Sequence, residues 1–311
     1  MKRLRFLVSL ITDDNDFQLE QARAAEATAQ RLGIDVEIIY AANDSINQSQ
    51  QLLNVIQSDS SKHPDAIIFE PVSGTALPHV GRAAASAEIA WVVLNRQAEY
   101  LADLRRTSKS PVFCVSSDHL EVGRIQGRQL AALVPQGGAA LFIQGPSDTS
   151  AAVQRRIGMQ ETMPRNIKLI AMKGQWTQES AFNAVCSWLR LPTSDKLPID
   201  AVVAQNDAMA LGARKALQEQ SNVVVRDKVM SLPFLGCDGL INTGKKQVAS
   251  GALAATVVIP PNTILAVEMT FKALLEGAAR PSELALTQPV SFPTLNELSP
   301  KRYENKGALT S

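Results

Sequence analysis

The chain has 311 residues, 45% hydrophobic and 20% charged, which suits a soluble globular protein with room for two domain cores. Lys plus Arg number 31 against 30 Asp plus Glu, so the formal charge of +1 gives no electrostatic footprint for nucleic acid or an anionic membrane surface. Three widely spaced cysteines, Cys114, Cys186 and Cys237, form neither a disulfide framework nor a zinc site. They are expected to be buried free thiols, which mildly favours a reducing compartment.

The opening MKRLRFLVSLITDD starts like a secretory leader, but its apolar run is short and no small-residue cleavage site follows. Residues 4–11 are therefore predicted as a first β-strand. No apolar run reaches the roughly 18 residues of a spanning helix, so no membrane insertion is expected. A helix follows over 17–32, with Leu19, Ala22, Ala25, Ala29 and Leu32 on one face, Asp14 or Asp16 as its cap and Gly33 as its stop. Strands at 35–40, 66–70 and 90–94 then alternate with helices at 46–58 and 76–87. A segment of mixed charge at 100–111 interrupts the rhythm, and the first domain boundary is expected near it. Further on, strands are predicted at 112–116, 139–144, 168–172, 201–204, 234–236 and 254–258. The helices between and after them are 120–134, 150–163, 178–189, 209–218, 240–249 and 263–275. This alternation predicts an α/β protein of two doubly wound parallel sheets with helices on both faces. The polar tail from residue 301 is expected to be loosely held.

In open parallel sheets, ligands bind beyond the carboxyl ends of the strands. The residues that follow the predicted strands are Asn15 and Phe17, then Asn95 and Arg96, then Asp118, then Arg155 and Arg156, then Trp176, then Gln205, Asn206 and Asp207, and finally Asp238. Amides, carboxylates, guanidinium groups and rings suit a polyhydroxylated ligand, because they exchange hydrogen bonds with vicinal hydroxyls and cover apolar sugar faces. None is a good nucleophile with a base beside it. Each also has a plainer reading: Asn206 as a turn residue, Asp238 as a helix cap, the arginines as solvated charges, Phe17 and Trp176 as core. Trp91 and Trp188 are read as core. The run GLINTGKK lacks the Ser or Thr a phosphate loop would use for magnesium. His63, His79 and His119 have no metal spacing, and His119, beside Asp118, is expected at the surface. Hydrolase, zinc-protease and dinucleotide motifs do not occur.

The runs DNDFQLEQARAAEATAQRLG, LNRQA, SSDHLEVGRIQGRQLA, IQGPSDTSAAVQRRIGMQ, AQNDAMALGARKAL, GCDG and SGALAATVVIPP, in this order and spacing, resemble the type I periplasmic sugar-binding proteins. The ribose-binding group is the nearest likeness, and the same fold forms the sensor half of LacI-type repressors. The resemblance spans residues 4–293. It implies two lobes joined by a three-strand hinge, with ligand between them: residues 1–113 plus 260–288 in the first, 114–259 plus 289–300 in the second, and 301–311 as a tail. It further implies that Asn15, Phe17, Asn95, Arg96, Arg155, Trp176, Asn206 and Asp238 hold the ligand, while Asp207 caps the helix after it. Three departures imply a sugar or polyol other than ribose. Asn95 stands where ribose binders have Asp, Ile259 replaces the hinge amide, and Gln18 stands where a second ring often occurs.

The implied function is a non-enzymatic sugar receptor that closes on its ligand without a cofactor or metal, and serves an ABC permease. The alternative is a sensing module with a signalling partner. The resemblance implies a periplasmic or extracytoplasmic location if a leader was trimmed, and a cytoplasmic one if Met1 is the native start. Too few residues precede the first strand for the DNA-binding helices of a repressor, so no nucleic-acid partner is expected.

Overall fold

The computed structural model describes residues 3–72, 76–192, 198–276 and 281–300; the tail expected to be loose lies outside them. The chain divides into two compact units, Met1–Ser117 with Pro260–Thr287, and Asp118–Ile259 with Gln288–Ser311. It therefore passes from one unit to the other three times.

The first unit is a six-stranded sheet in the order β11-β5-β4-β3-β1-β2. Its strands are β1 (Arg5–Leu10), β2 (Asp35–Tyr40), β3 (Ala66–Phe69), β4 (Ala90–Leu94), β5 (Val112–Ser117) and β11 (Leu284–Thr287), all paired in parallel. The central strands are apolar throughout because helices cover both faces. On one face α1 (Asp16–Leu32) and α11 (Asn262–Glu276) pack Ala22, Ala25, Ala29, Ala266 and Val267 against Val8, Ile68 and Val92. On the other, α2 (Ser45–Ile56), α3 (Pro78–Ser86) and α4 (Tyr100–Thr107) bring Leu52, Val80, Ala84, Leu101 and Leu104 against Ile67, Trp91 and Val93.

Three expectations are corrected here. The segment at 100–111 is not a boundary: it holds the crossover helix α4, pinned by Leu101, Leu104 and the Tyr100 hydroxyl, which donates to the Ala76 carbonyl at 2.7 Å. The division falls at Ser117, not Phe113, because β5 pairs along its length with β4 and β11 of the same unit. The cap of α1 is Asn15, not Asp14 or Asp16; its Oδ1 accepts from the N–H groups of Phe17 and Gln18. Gly33 ends α1 as expected, at φ 69°.

The second unit is a four-stranded parallel sheet in the order β7-β6-β8-β9, built from β6 (Gly138–Gln144), β7 (Ile167–Lys173), β8 (Ala201–Ala204) and β9 (Phe234–Leu235). An antiparallel ribbon of β10 (Thr256–Val258) and β12 (Val290–Phe292) completes it. Helices α7 (Gln178–Leu189) and α8 (Asp207–Gln218) cover one face through Ala181, Val185, Trp188, Met209 and Ala213. Helices α5 (His119–Leu133) and α6 (Ser150–Thr162) cover the other through Leu130, Leu133 and Met159.

Helices α5 and α6 approach through glycine. A Cβ on Gly123 would run into the Arg155 carbonyl, and one on Gly158 into the Leu120 carbonyl. The helix expected over 240–249 opens with a π-helical stretch, Ile241–Lys245, and continues as α10 (Lys246–Ala249). An additional helix, α9 (Val223–Met230), buries no residue and so has no apolar stripe for periodicity to mark. Cys114 and Cys237 are buried, and burial pushes the Cys114 thiol up to about 12 and the Cys237 thiol further still. Cys186, against expectation, is only half-buried.

Candidate ligand-binding site

In the first unit the sequence-predicted residues lie at the carboxyl edge of the sheet. Asn15 and Phe17 follow β1, and both are half-buried. Asn95 and Arg96 follow β4, with β3 between the two pairs. Asn95 is 7% exposed and sits at φ 58°, a left-handed conformation that Asn tolerates better than most residues. Its Oδ1 accepts from Asn262 Nδ2, and its N–H donates to the Val115 carbonyl at 2.9 Å. Asn262, wholly buried at the start of α11, accepts in turn at Oδ1 from the Thr287 hydroxyl at 2.8 Å and the Ser117 hydroxyl at 3.4 Å.

The same edge carries a residue that sequence reasoning missed. Glu70, just past β3 and 7% exposed, accepts from Gln18 Nε2 at 2.9 Å. Gln18 Oε1 accepts from the Ile11 N–H at 3.0 Å. The signal for Glu70 was its position at a predicted strand end, where it had been counted inside the strand.

In the second unit the structure brings Arg155, Trp176 and Asn206 into one cluster. Asn206 is the N-cap of α8: Oδ1 accepts from the Met209 N–H at 2.8 Å, and Nδ2 donates to the Trp176 carbonyl at 2.8 Å. Trp176, at φ 63°, lies across Gly145, where any Cβ would strike the indole. The Arg155 guanidinium carbon stands 5.5 Å from the Trp176 ring centroid, within cation–π range. Arg155 is 6% exposed; Nη1 donates to the Gln205 carbonyl and Nε to His119 Nδ1 at 3.4 Å. Asp238 is half-buried at φ 112°, bonded through its backbone to Val257 and Ile259. Asn95, Trp176 and Asp238 are thus non-glycine residues at positive φ, a strain that surrounding structure must hold in place and that tends to occur at ligand sites.

Two expectations fail in this unit. Asp207 does not cap α8, since Asn206 does. Asp207 is buried, and its carboxylate accepts from the Gly239 N–H at 2.8 Å and the Thr256 hydroxyl at 2.7 Å. Burial pushes this carboxyl up to about 7, although its hydrogen bonds with Thr256 and Gly239 and the positive charge of Arg155 pull the other way. His119 is not at the surface: it is 4% exposed and packed beside Arg155. Trp91 and Trp188 are core, as expected.

Among the described residues, no group of His, Cys, Asp and Glu side chains is arranged to hold a metal ion, and no helix is long and apolar enough to cross a membrane. The two sets of residues can exchange hydrogen bonds with a polar ligand and stack a ring on it.

Residues 6–278 match the family described as periplasmic binding protein domain. The ribose import binding protein of Escherichia coli is 30% identical over 255 residues, covering 81% of this chain and 78% of that protein. The D-allose-binding periplasmic protein of Escherichia coli is 27% identical over 264 residues, covering 83% and 80%. A solved ABC transporter periplasmic solute binding protein from Actinobacillus succinogenes, with bound D-allose, has a TM-score of 0.80 at 22% identity, covering 97% of this chain and 100% of that one. The myo-inositol binding protein of Caulobacter has a TM-score of 0.78 at 19% identity, covering 98% and 97%. The structural likeness, at such low identity, establishes the shared fold. The match over most of the chain and the 30% relative establish descent: the chain belongs to the periplasmic binding protein family, whose members are non-enzymatic ligand receptors.

Proposed function

We propose that this protein is the sugar- or polyol-binding component of an ABC importer, holding its ligand with Asn15, Phe17, Asn95 and Arg96 of the first unit and Arg155, Trp176, Asn206 and Asp238 of the second. The observation that carries the reading is the cluster in which Asn206 Nδ2 holds the Trp176 backbone while the indole lies over Gly145 beside Arg155. It fixes an aromatic ring next to hydrogen-bonding groups, the combination a pyranose or furanose needs. The relatives named for ribose and D-allose support the same ligand class.

The mechanism is differential affinity. A ligand that engages both sets of residues only in a closed arrangement shifts the population toward it, and that arrangement is the one a permease would recognise. The test is a thermal-shift panel of neutral sugars, polyols and sugar acids. A true ligand at a hundredfold excess over Kd stabilises the protein by about 2.7 kcal/mol and raises Tm accordingly. If no member of the panel moves Tm, the receptor reading fails.

A further inference from the structure

We infer that Asn262 sets ligand specificity: it holds Asn95 with its N–H2 toward the ligand, so the β4 end of the first unit selects an oxygen that carries no proton, a carboxylate or carbonyl on an otherwise hydroxylated ligand. The inference rests on the sugar-receptor reading and names the class of sugar within it.

The direction of each candidate amide follows from its partners. A backbone N–H can only donate, so the Asn15 oxygen is engaged by Phe17 and Gln18, and the Asn206 oxygen by Met209. Both amides have N–H left to offer. Asn95 is held the same way round by a longer chain. The Thr287 and Ser117 hydroxyls donate to Asn262 Oδ1, which turns Asn262 Nδ2 onto Asn95 Oδ1 and leaves the Asn95 N–H2 as the end not engaged among the described residues. Turning both amides round would take from those two hydroxyls their shared acceptor. Their protons would be left with each other at 3.5 Å, a poorer arrangement than the 2.8 Å bond Thr287 makes to Asn262.

Three of the four members of this chain stand at the points where the backbone leaves or enters the first unit: Ser117, Asn262 and Thr287. The polarity of Asn95 is therefore set by residues close to these crossing points, not by its own loop.

A hydroxyl placed against Asn95 can accept its N–H, but its own proton then needs an acceptor that Asn95 cannot supply. A carboxylate or carbonyl has no such proton, and a carboxylate makes the bond it accepts from the amide charge-assisted. Glu70, at the end of the neighbouring strand, is itself engaged by Gln18.

The experiment is calorimetric titration of the full chain with matched pairs that differ at one carbon: D-galactose with D-galacturonate, D-ribose with D-ribono-1,4-lactone, and myo-inositol with its 2-keto derivative. The proton-less member of the pair that fits is expected to bind at least about tenfold tighter, the discrimination one orphaned donor provides. Asn262→Asp can only accept from Asn95, so it turns that amide round and should bring the ratio to one or invert it. Asn95→Asp places an acceptor there directly and should move the ratio the same way, which guards against a variant that folds poorly. A ratio of one or below in the unaltered protein overturns the inference while leaving the receptor reading intact. A ratio that neither substitution moves overturns the roles of Asn262 and Asn95. Absence of binding by every probe sinks the receptor reading, and this inference with it.

Discussion

Each unit fixes a candidate ligand loop with one buried polar side chain at the start of a helix, but the two use opposite chemistry. In the first, the neutral Asn262 joins Asn95 to Thr287 and Ser117. In the second, the ionisable Asp207 joins the Gly239 N–H, next to Asp238, to the Thr256 hydroxyl. A neutral hub costs little to bury and is indifferent to pH; a buried carboxyl must be desolvated or protonated. One loop is fixed by amide direction and the other by a carboxyl that titrates, and substitutions can push on each.

The largest effect is expected where the second unit's hub region depends on helix contact. Gly158→Ala drives a methyl into the Leu120 carbonyl and forces α5 from α6, the helix that carries Arg155. We expect a loss of about 3 kcal/mol, the upper part of the overpacking range, read as a lower urea midpoint. A midpoint unchanged within error would show that the helices can separate freely.

Next is Asn262→Ala, which strips the first hub and leaves the Thr287 and Ser117 hydroxyls short of an acceptor and Asn95 Oδ1 without its donor. A loss of about 2 kcal/mol is expected from the orphaned groups, by the same denaturation measurement. The variant should destabilise the protein equally at pH 5 and pH 8; a pH-dependent loss would refute the neutral character of this hub.

The second hub should behave otherwise. The folded-state pKa of Asp207 is raised from 3.8 to about 7, so between those values the folded chain keeps a proton that the unfolded chain has released. Its contribution is fully present below the unfolded value and declines as pH rises toward 7, with a slope of at most about 1.4 kcal/mol per pH unit. Asp207→Asn removes the titration, so the Tm of the variant relative to the parent should rise between pH 5 and pH 7. A constant difference across that window would mean that the carboxyl is ionised throughout.

The smallest effect separates capping from ligand binding at Asn206. Asn206→Ala removes the N-cap of α8 and should cost about 1 kcal/mol. Asn206→Asp keeps an acceptor for the Met209 N–H while losing the N–H2 offered to Trp176 and the ligand. It should retain most stability but lose the ligand-induced thermal shift, and an undiminished shift would remove Asn206 from the site.

The alternation of strands and helices was legible because a buried parallel strand is a short apolar run and a covering helix has an apolar stripe. Helix α7 was predicted with its observed bounds, and α1 within a residue. The signal failed where burial leaves no stripe, as in α9, and where a strand is brief, as in β11 and β12, which are defined by their pairing with β5 and β10. It also failed at α4, whose DLRRT surface hides two buried leucines. Of the site, the sequence showed which residues follow which strands. It could not show which of Asn206 and Asp207 caps α8, since both are short acceptors at the same turn.

The sequence by itself determined the parallel α/β layering, the strand ends on which polar and aromatic groups gather, and the family. Tertiary structure alone decided the direction of the Asn95 amide, the burial of His119 and the raised pKa of Asp207. Those properties depend on partners brought from afar: Asn262 comes from 167 residues away in the chain, Arg155 sits 36 residues from His119, and Thr256 sits 49 residues from Asp207. A local pattern records burial and turn chemistry, which act over a few residues. The polarity of a side chain in a site is set by whatever the fold places against it.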